Sequence, residues 1–282
     1  MRAIGRKARW RQYNRSMFKL ARIHWLVAAF AVLLSVTNAQ QRLFVVGGGK
    51  RPPDAVKKFV DWAGGGKARV LAITWASGVP NESFEALKKD FTGHGAGTVE
   101  HGAVRPLDAS KRTQFIEQLK TATAVFFSGG DQNRIMDVLA DAELLKLLRD
   151  KYTAGTPFGG TSAGAAVISD PMMTGDADLK ILDGTKVGVR NGLGLIPNVM
   201  FDQHFLVRQR HNRLFGFLMQ NPAYLGIGID EDNAVLITDN KNIEVAGTTW
   251  VMFVDARDKK GAMTVNFLKP GERFDLTKRR RQ

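Results

Sequence analysis

The feature that most limits what this chain can become is a repeated unit. A short apolar run ends in glycines, and an amphipathic stretch follows it. "RLFVVGGGK" reads as a buried strand over Leu43–Val46 closed by Gly47–Gly49. "RVLAITWAS" (Arg69–Ser77) is a second strand, followed by the helical "PNESFEALKKDF", for which Asn81 is a candidate cap. "GTVEHGAV" reads as a third strand and "RTQFIEQLK" as a helix; "ATAVFFSGGDQ" is a fourth strand ending at Gly129-Gly130. "RIMDVLADAELLKLLRDKY" supplies further helix before a fifth strand at "PFGGTSAGAAV". Continuous apolar strands alternating with helices predict a mostly parallel, doubly wound α/β sheet with helices on both faces. From Val199 onward, "VMFDQHF", "GIGID", "AVLITDN", "NIEVAG" and "WVMFVDA" are closely spaced strands, with Asp239-Asn240 and Asn242 suited to hairpin turns. They are expected to add antiparallel strands to the same sheet. No linker separates them, so residues 40–282 read as one domain.

Composition narrows the function classes. The formal charge is +14, but Met1–Ala39 holds eight Lys/Arg and no acid, and Lys278–Arg281 adds four more basic residues. The excess therefore lies at the two ends, and the body lacks the basic stripe that nucleic-acid binding needs. The apolar run "WLVAAFAVLLSV" (Trp25–Val36) lies between basic residues and "TNAQQ", with Thr37 and Ala39 at cleavage-compatible positions. Residues 1–39 accordingly read as a secretory signal. An uncleaved anchor is the alternative, although the run is shorter than the roughly 20 residues of a membrane span. A secreted or periplasmic protein with no membrane attachment after cleavage is expected. There is no cysteine, which excludes disulfides and a thiol nucleophile. The histidines and acids show no metal-ligand spacing of the H-E-x-x-H kind, so neither metal nor cofactor is expected.

Gly160-Thr161-Ser162-Ala163-Gly164 fits G-x-S-x-G, the tight strand-to-helix turn that exposes a serine oxygen. The competing reading is a glycine-rich crossover turn with an incidental serine. A serine needs a base, and the base needs an orienting group. Of the five histidines, His204 stands out because it follows the apolar "NVMF" with polar Asp202 and Gln203 beside it. In "GIGIDEDNA", strand alternation puts Glu231 on one face and Asp230 on the other; either could reach His204. The order Ser, His, acid differs from the Ser, acid, His of α/β-hydrolases. Such a hydrolase would need an acid between Ser162 and His204, where Asp176, Asp178 and Asp183 lie in a polar loop.

With these residues in view, "FFSGGDQ", "GGTSAGA", "FDQHFLVRQRHNR" and "GIGIDEDNA" together resemble the S51 family of serine peptidases, and its cyanophycinases in particular. The resemblance runs from about Leu43 past Glu231. It implies a class I glutamine-amidotransferase-like (flavodoxin-like) fold, often dimeric. It also implies Ser162 as nucleophile, His204 as general base and acid, and Glu231 as orienting carboxylate. The amides of Ala163 and Gly130 are expected to form the oxyanion hole. By position, Gln132, Asp202, Gln203, Arg208, Arg210 and Arg213 match the family's substrate pocket. Asp202 is expected to pair with a substrate guanidinium and the arginines with carboxylates. At helical spacing, Arg210 and Arg213 share a face and Arg208 does not. The implied substrate is cyanophycin or a β-aspartyl peptide. Short-peptide exopeptidase activity and a non-catalytic periplasmic binding protein are the competing functions. Where the family commonly reads "GGGE", this chain carries Lys50.

Overall fold

The computed structural model describes residues 39–257 and 261–282. Residues 1–38 of the expected signal segment therefore lie outside the described residues. Gln40–Gln282 form one compact unit.

In chain order the first half comprises β1 (Arg42–Val46), α1 (Pro53–Trp62), β2 (Arg69–Ile73), α2 (Pro80–Gly93), β3 (Thr98–His101), α3 (Ala109–Thr121), β4 (Ala124–Phe127), α4 (Gln132–Val138), α5 (Ala142–Thr153) and β5 (Phe158–Thr161). A one-turn helix, α6 (Ala163–Ala166), leads to the hairpin β6 (Met172–Ala177) and β7 (Val187–Arg190). Then come β8 (Val199–Gln203), α7 (His211–Gln220), β9 (Leu225–Ile229), β10 (Asn233–Thr238), β11 (Asn242–Gly247), β12 (Val251–Asp255), β13 (Thr264–Leu268), β14 (Arg273–Asp275) and β15 (Arg280–Arg281).

The main sheet has nine strands in the order β15-β14-β11-β10-β1-β5-β4-β2-β3. From β1 to β3 every neighbour is parallel; from β1 to β15 every neighbour is antiparallel. The sheet is thus mixed rather than mostly parallel. A second correction concerns the C-terminal strands. Only β10, β11, β14 and β15 extend the main sheet. A separate four-stranded sheet, β13-β12-β9-β8, contains the rest, with β8 and β9 parallel. The basic tail is also more than an appendage, because Arg280 and Arg281 pair with Asp275 and Phe274 at the sheet edge.

Strand alternation explains the layers. Leu43, Val45, Leu71, Ile73, Val125 and Phe127 point into one buried cluster, and Phe44, Val46, Val70, Ala72, Ala124 and Phe126 into another. After their first residues, β1 and β2 are apolar on both faces, and β4 is apolar throughout, as a sheet covered on both sides requires. On the second face, α1 contributes Ala55, Val56, Phe59 and Val60, spaced to lie on one helical side. Phe44, Phe59, Phe91 and Phe126 pack there with ring centroids 5.1–5.8 Å apart. On the first face lie α3 to α5 and the inner side of the smaller sheet, through Phe201, Ile227 and Phe253. Leu214, Phe217 and Leu218 of α7 cover that sheet's outer side.

Local rules account for two details. Asn81 does not cap α2, because Pro80 opens the helix and Val79 precedes it. Proline suits that first position since its missing N–H would have had no partner there. The β10–β11 hairpin turns at Asp239 (φ 58°) and Asn240 (φ 50°), left-handed positions that Asp and Asn tolerate.

Candidate active site

In the main sheet β1, β5 and β4 are adjacent, so the glycine-rich turns at their carboxyl ends meet. Parallel pairing likewise brings the ends of β8 and β9 together, and the residues that follow them are His204 and Asp230-Glu231. The first turn joins these two groups. Three consecutive carbonyls accept one amide each: Val46 from Ser162 (3.1 Å), Gly47 from His204 (2.9 Å) and Gly48 from Asp232 (3.0 Å). A glycine turn with no evident chemistry is thus the frame on which three distant loops are registered.

Ser162 lies between β5 and α6 with φ 54° and ψ −115°, a strained conformation for a residue with a side chain. Tight packing enforces it. A Cβ on Gly160 would collide with the Gly164 backbone, and one on Gly164 would collide with the Phe127 carbonyl. The elbow reading of the pentapeptide is the one the backbone adopts.

The serine Oγ is 2.7 Å from His204 Nε2, and His204 Nδ1 is 2.6 Å from Glu231 Oε1. An ionised carboxylate only accepts, so Nδ1 carries the proton and donates to Glu231. Nε2 is left with its lone pair facing the hydroxyl of Ser162. His204 is buried, and that burial lowers its pKa from the ordinary 6.5; Glu231 pulls the other way, while Arg208 and Arg210 also lower it. The imidazole is accordingly neutral near pH 7 and able to accept a proton.

Asp230 has a different task from Glu231. Its Oδ1 accepts from the amides of Leu206 and Val207, both at 3.1 Å, and so closes the turn that follows His204. Asp232 Oδ1 accepts the Lys50 amide at 2.5 Å. Lys50 thus contributes its backbone to the junction, and its side chain is exposed. Among the described residues, the amides of Ala163 and Gly130 have no protein acceptor. Gly129 lies against the nucleophile: a Cβ there would be 3.3 Å from Ser162 Cβ.

The expected substrate-pocket residues divide. Asp202 has no exposed surface, and both its oxygens are taken by Arg213 through Nε at 2.9 Å and Nη2. This corrects the expectation that Asp202 pairs with a substrate guanidinium and that Arg213 meets a carboxylate; these two hold each other. Their bidentate bond ties α7 to β8, and breaking a buried pair by removing one partner typically costs about 3–5 kcal/mol. Arg210 is also buried, donating from Nη1 to the Gln203 carbonyl at 2.7 Å. Burial and the neighbouring Arg213 bring its pKa down to about 10. The helix begins only at His211, so Arg208 and Arg210 occupy the preceding turn instead of a helical face. Arg208 is exposed. Gln132 is buried and donates to the Met173 carbonyl at 2.8 Å, fastening the β6–β7 hairpin to α4. Gln203 is buried too, and its Oε1 has no donor among the described residues.

Sequence reasoning named Gly48 and Asp230 but missed their roles, as the space for the imidazole and the fastener of the His204 turn. Gly48 has φ +140°, and a Cβ on it would lie within 2.9 Å of Cε1, Nδ1 and Nε2 of His204. The available signal was the run of three glycines, Gly47–Gly49, closing a buried strand.

A buried imidazole joined to a serine and a carboxylate, at the end of a strained elbow, is the apparatus of a serine-type peptidase. The sequence pattern of peptidase family S51 matches residues 43–245. A cyanophycinase of Geminocystis herdmanii is 34% identical over 219 residues, covering 76% of this chain and 80% of its own. A cyanophycinase of Trichormus variabilis is 34% identical over 203 residues, covering 72% and 68%. The crystal structure of a peptidase from an acI-B1 Actinobacterium superposes with a TM-score of 0.63 at 22% identity, over 85% of this chain and 98% of that one, a likeness of fold. The chain belongs to peptidase family S51.

Two outcomes test this geometry. Gly48→Ala should displace the imidazole and lower kcat by about 100-fold, with the circular dichroism spectrum unchanged; wild-type kcat would show that the close approach does not matter. The acid limb of the kcat/KM profile should have its midpoint below 6.5, because the depressed His204 pKa keeps the base neutral to lower pH. A midpoint above 6.5 would contradict that assignment.

Proposed function

We propose that this protein is a cyanophycinase: an exported serine peptidase that releases β-Asp-Arg dipeptides from cyanophycin through an acyl-enzyme. The observation that carries the chemistry is the continuous hydrogen-bonded line from Ser162 through His204 to Glu231. What supports the substrate is the pair of cyanophycinases at 34% identity, matched over most of their length. The reading also includes the class I glutamine-amidotransferase-like scaffold, a homodimer, and removal of residues 1–39 on the way to the periplasm or medium.

Cyanophycin is a poly-aspartate backbone with arginine joined to each side-chain carboxyl, so it presents carboxylates and guanidinium groups in a regular array. In this mechanism Ser162 Oγ attacks the backbone carbonyl as His204 Nε2 takes its proton. The unpartnered amides of Ala163 and Gly130 receive the oxyanion; one such donor is typically worth about 3 kcal/mol. His204 then protonates the leaving amine, and water attacks the acyl-enzyme by the same route. Glu231 holds the Nδ1 proton throughout and stabilises the imidazolium. Arg208 is the exposed cation beside the triad that suits a substrate carboxylate. The buried Gln203 Oε1 is without a donor among the described residues, which costs about 1–3 kcal/mol in the residue before His204. Asp202, Arg210 and Arg213 act one step back, by fixing the turn that carries His204.

Purified wild-type enzyme incubated with cyanophycin should yield β-Asp-Arg by mass spectrometry, and Ser162→Ala should lower turnover on the order of 10⁶-fold while the melting temperature is kept. Hydrolysis of Asp-X dipeptides with the polymer left intact would favour the short-peptide activity. Turnover of neither would favour the binding-protein reading.

A further inference from the structure

A second feature at the same end of the sheet is not used by the triad. A cavity of about 430 Å³ lies between the loop after β3, α3, α4 and the start of α5, and its walls include Arg105, Arg112, Arg134, Asp137 and Asp141. Its charges are unequally committed. Asp141 is taken by Arg112 and by the amides of Glu143 and Leu144, and Asp137 accepts from Arg190 at 2.8 Å. Arg112 is in turn engaged by Asp141 and Glu143. Arg105 spends only its Nε, on the Trp75 carbonyl at 2.7 Å. The Arg134 side chain has one long contact, Nε 3.6 Å from Asp131 Oδ2, and no side-chain hydrogen bond among the described residues. Among the described residues, the cavity therefore offers the uncommitted Nη groups of Arg105 and Arg134, while its two carboxylates, Asp137 and Asp141, each already face an arginine.

The cavity is connected to the elbow. The Gly130 turn packs on the loop after β2: its Cα faces the Ala76 carbonyl, and the Asp131 amide donates to that carbonyl at 3.0 Å. Two residues further along that loop, a Cβ on Gly78 would lie 3.8 Å from Arg134 Nη1. Arg105 reaches the same loop through Trp75. In the sheet order β5-β4-β2, this loop is two strand spacings from the serine, roughly 10 Å. That separation is a few residues of extended chain.

We propose that this cavity is a remote carboxylate-binding subsite, in which Arg105 and Arg134 hold an acidic group of the substrate chain several units from the bond being cut. The inference rests on the polymer-hydrolase reading given above. It makes the enzyme selective for length: a chain long enough to span from Ser162 past Gly130 gains the contact, and a short peptide does not. Forked guanidinium donors suit a carboxylate in two-point geometry.

The test compares cyanophycin with the dimer of β-Asp-Arg, which has one scissile bond and no units to spare. Arg134→Glu should raise KM for the polymer about 10-fold, leave kcat for the polymer unchanged, and leave both constants for the dimer unchanged. Arg134→Lys, which keeps the charge, should recover most of the polymer KM. Equal KM for the polymer in wild type and Arg134→Glu, or an equal loss on polymer and dimer, would overturn the subsite. Failure of the wild type to cleave the polymer would be a failure of the function reading instead. The cavity is then judged by titrating tri-aspartate into Ser162→Ala with and without Arg134→Glu. Weaker binding by about 10-fold in the double variant supports the subsite, and equal binding rejects it.

Discussion

Three neighbouring carbonyls, on Val46, Gly47 and Gly48, do more for this site than any side chain outside it. Each accepts one amide, from Ser162, His204 and Asp232 in turn. Backbone bonds of this kind are short and directional, so the three loops are held in register before any catalytic side chain is considered. The 2.7 Å and 2.6 Å contacts along Ser162, His204 and Glu231 follow from that register. Gly48 is small for the same reason, since the imidazole occupies the space a side chain would need.

Topology delivers the loops to this junction. In the main sheet, β1 lies between the parallel strand β5 and the antiparallel strand β10. The chain passes from β9 of the smaller sheet into β10 of the larger one within Asp230–Asp232. That crossing places Glu231 between the sheets, beside the end of β8 that carries His204. Around it, acids act as fasteners. Asp230 closes the His204 turn, Asp232 holds Lys50, and Asp202 holds Arg213. Arginines and acids that look like substrate ligands in the sequence are partly the scaffold of the site.

Much of this was legible in the residues alone. The alternation of apolar strands with helices, the strand-end glycines, and the pairing of an elbow serine with His204 all follow from local pattern. The distribution of strands between two sheets did not follow. Strand pairing is a non-local choice, and β8, β9 and β12 are buried along their length much as β10 is. Glu231 and Asp230 were inseparable for a related reason: they are adjacent in a turn, and only the direction of the crossing decides which faces the imidazole. The role of Asp202 was misread because an acid beside an arginine cluster looks the same in sequence whether it is buried or open.

The central claim is that the fold holds His204 as a neutral imidazole, its Nδ1 proton given to Glu231 and its Nε2 lone pair turned to Ser162. Nitrogen-15 NMR of the His204 ring in the free enzyme at neutral pH reads this directly. The account predicts a protonated Nδ1 and an unprotonated Nε2. A ring protonated at Nε2 with a bare Nδ1 would contradict it.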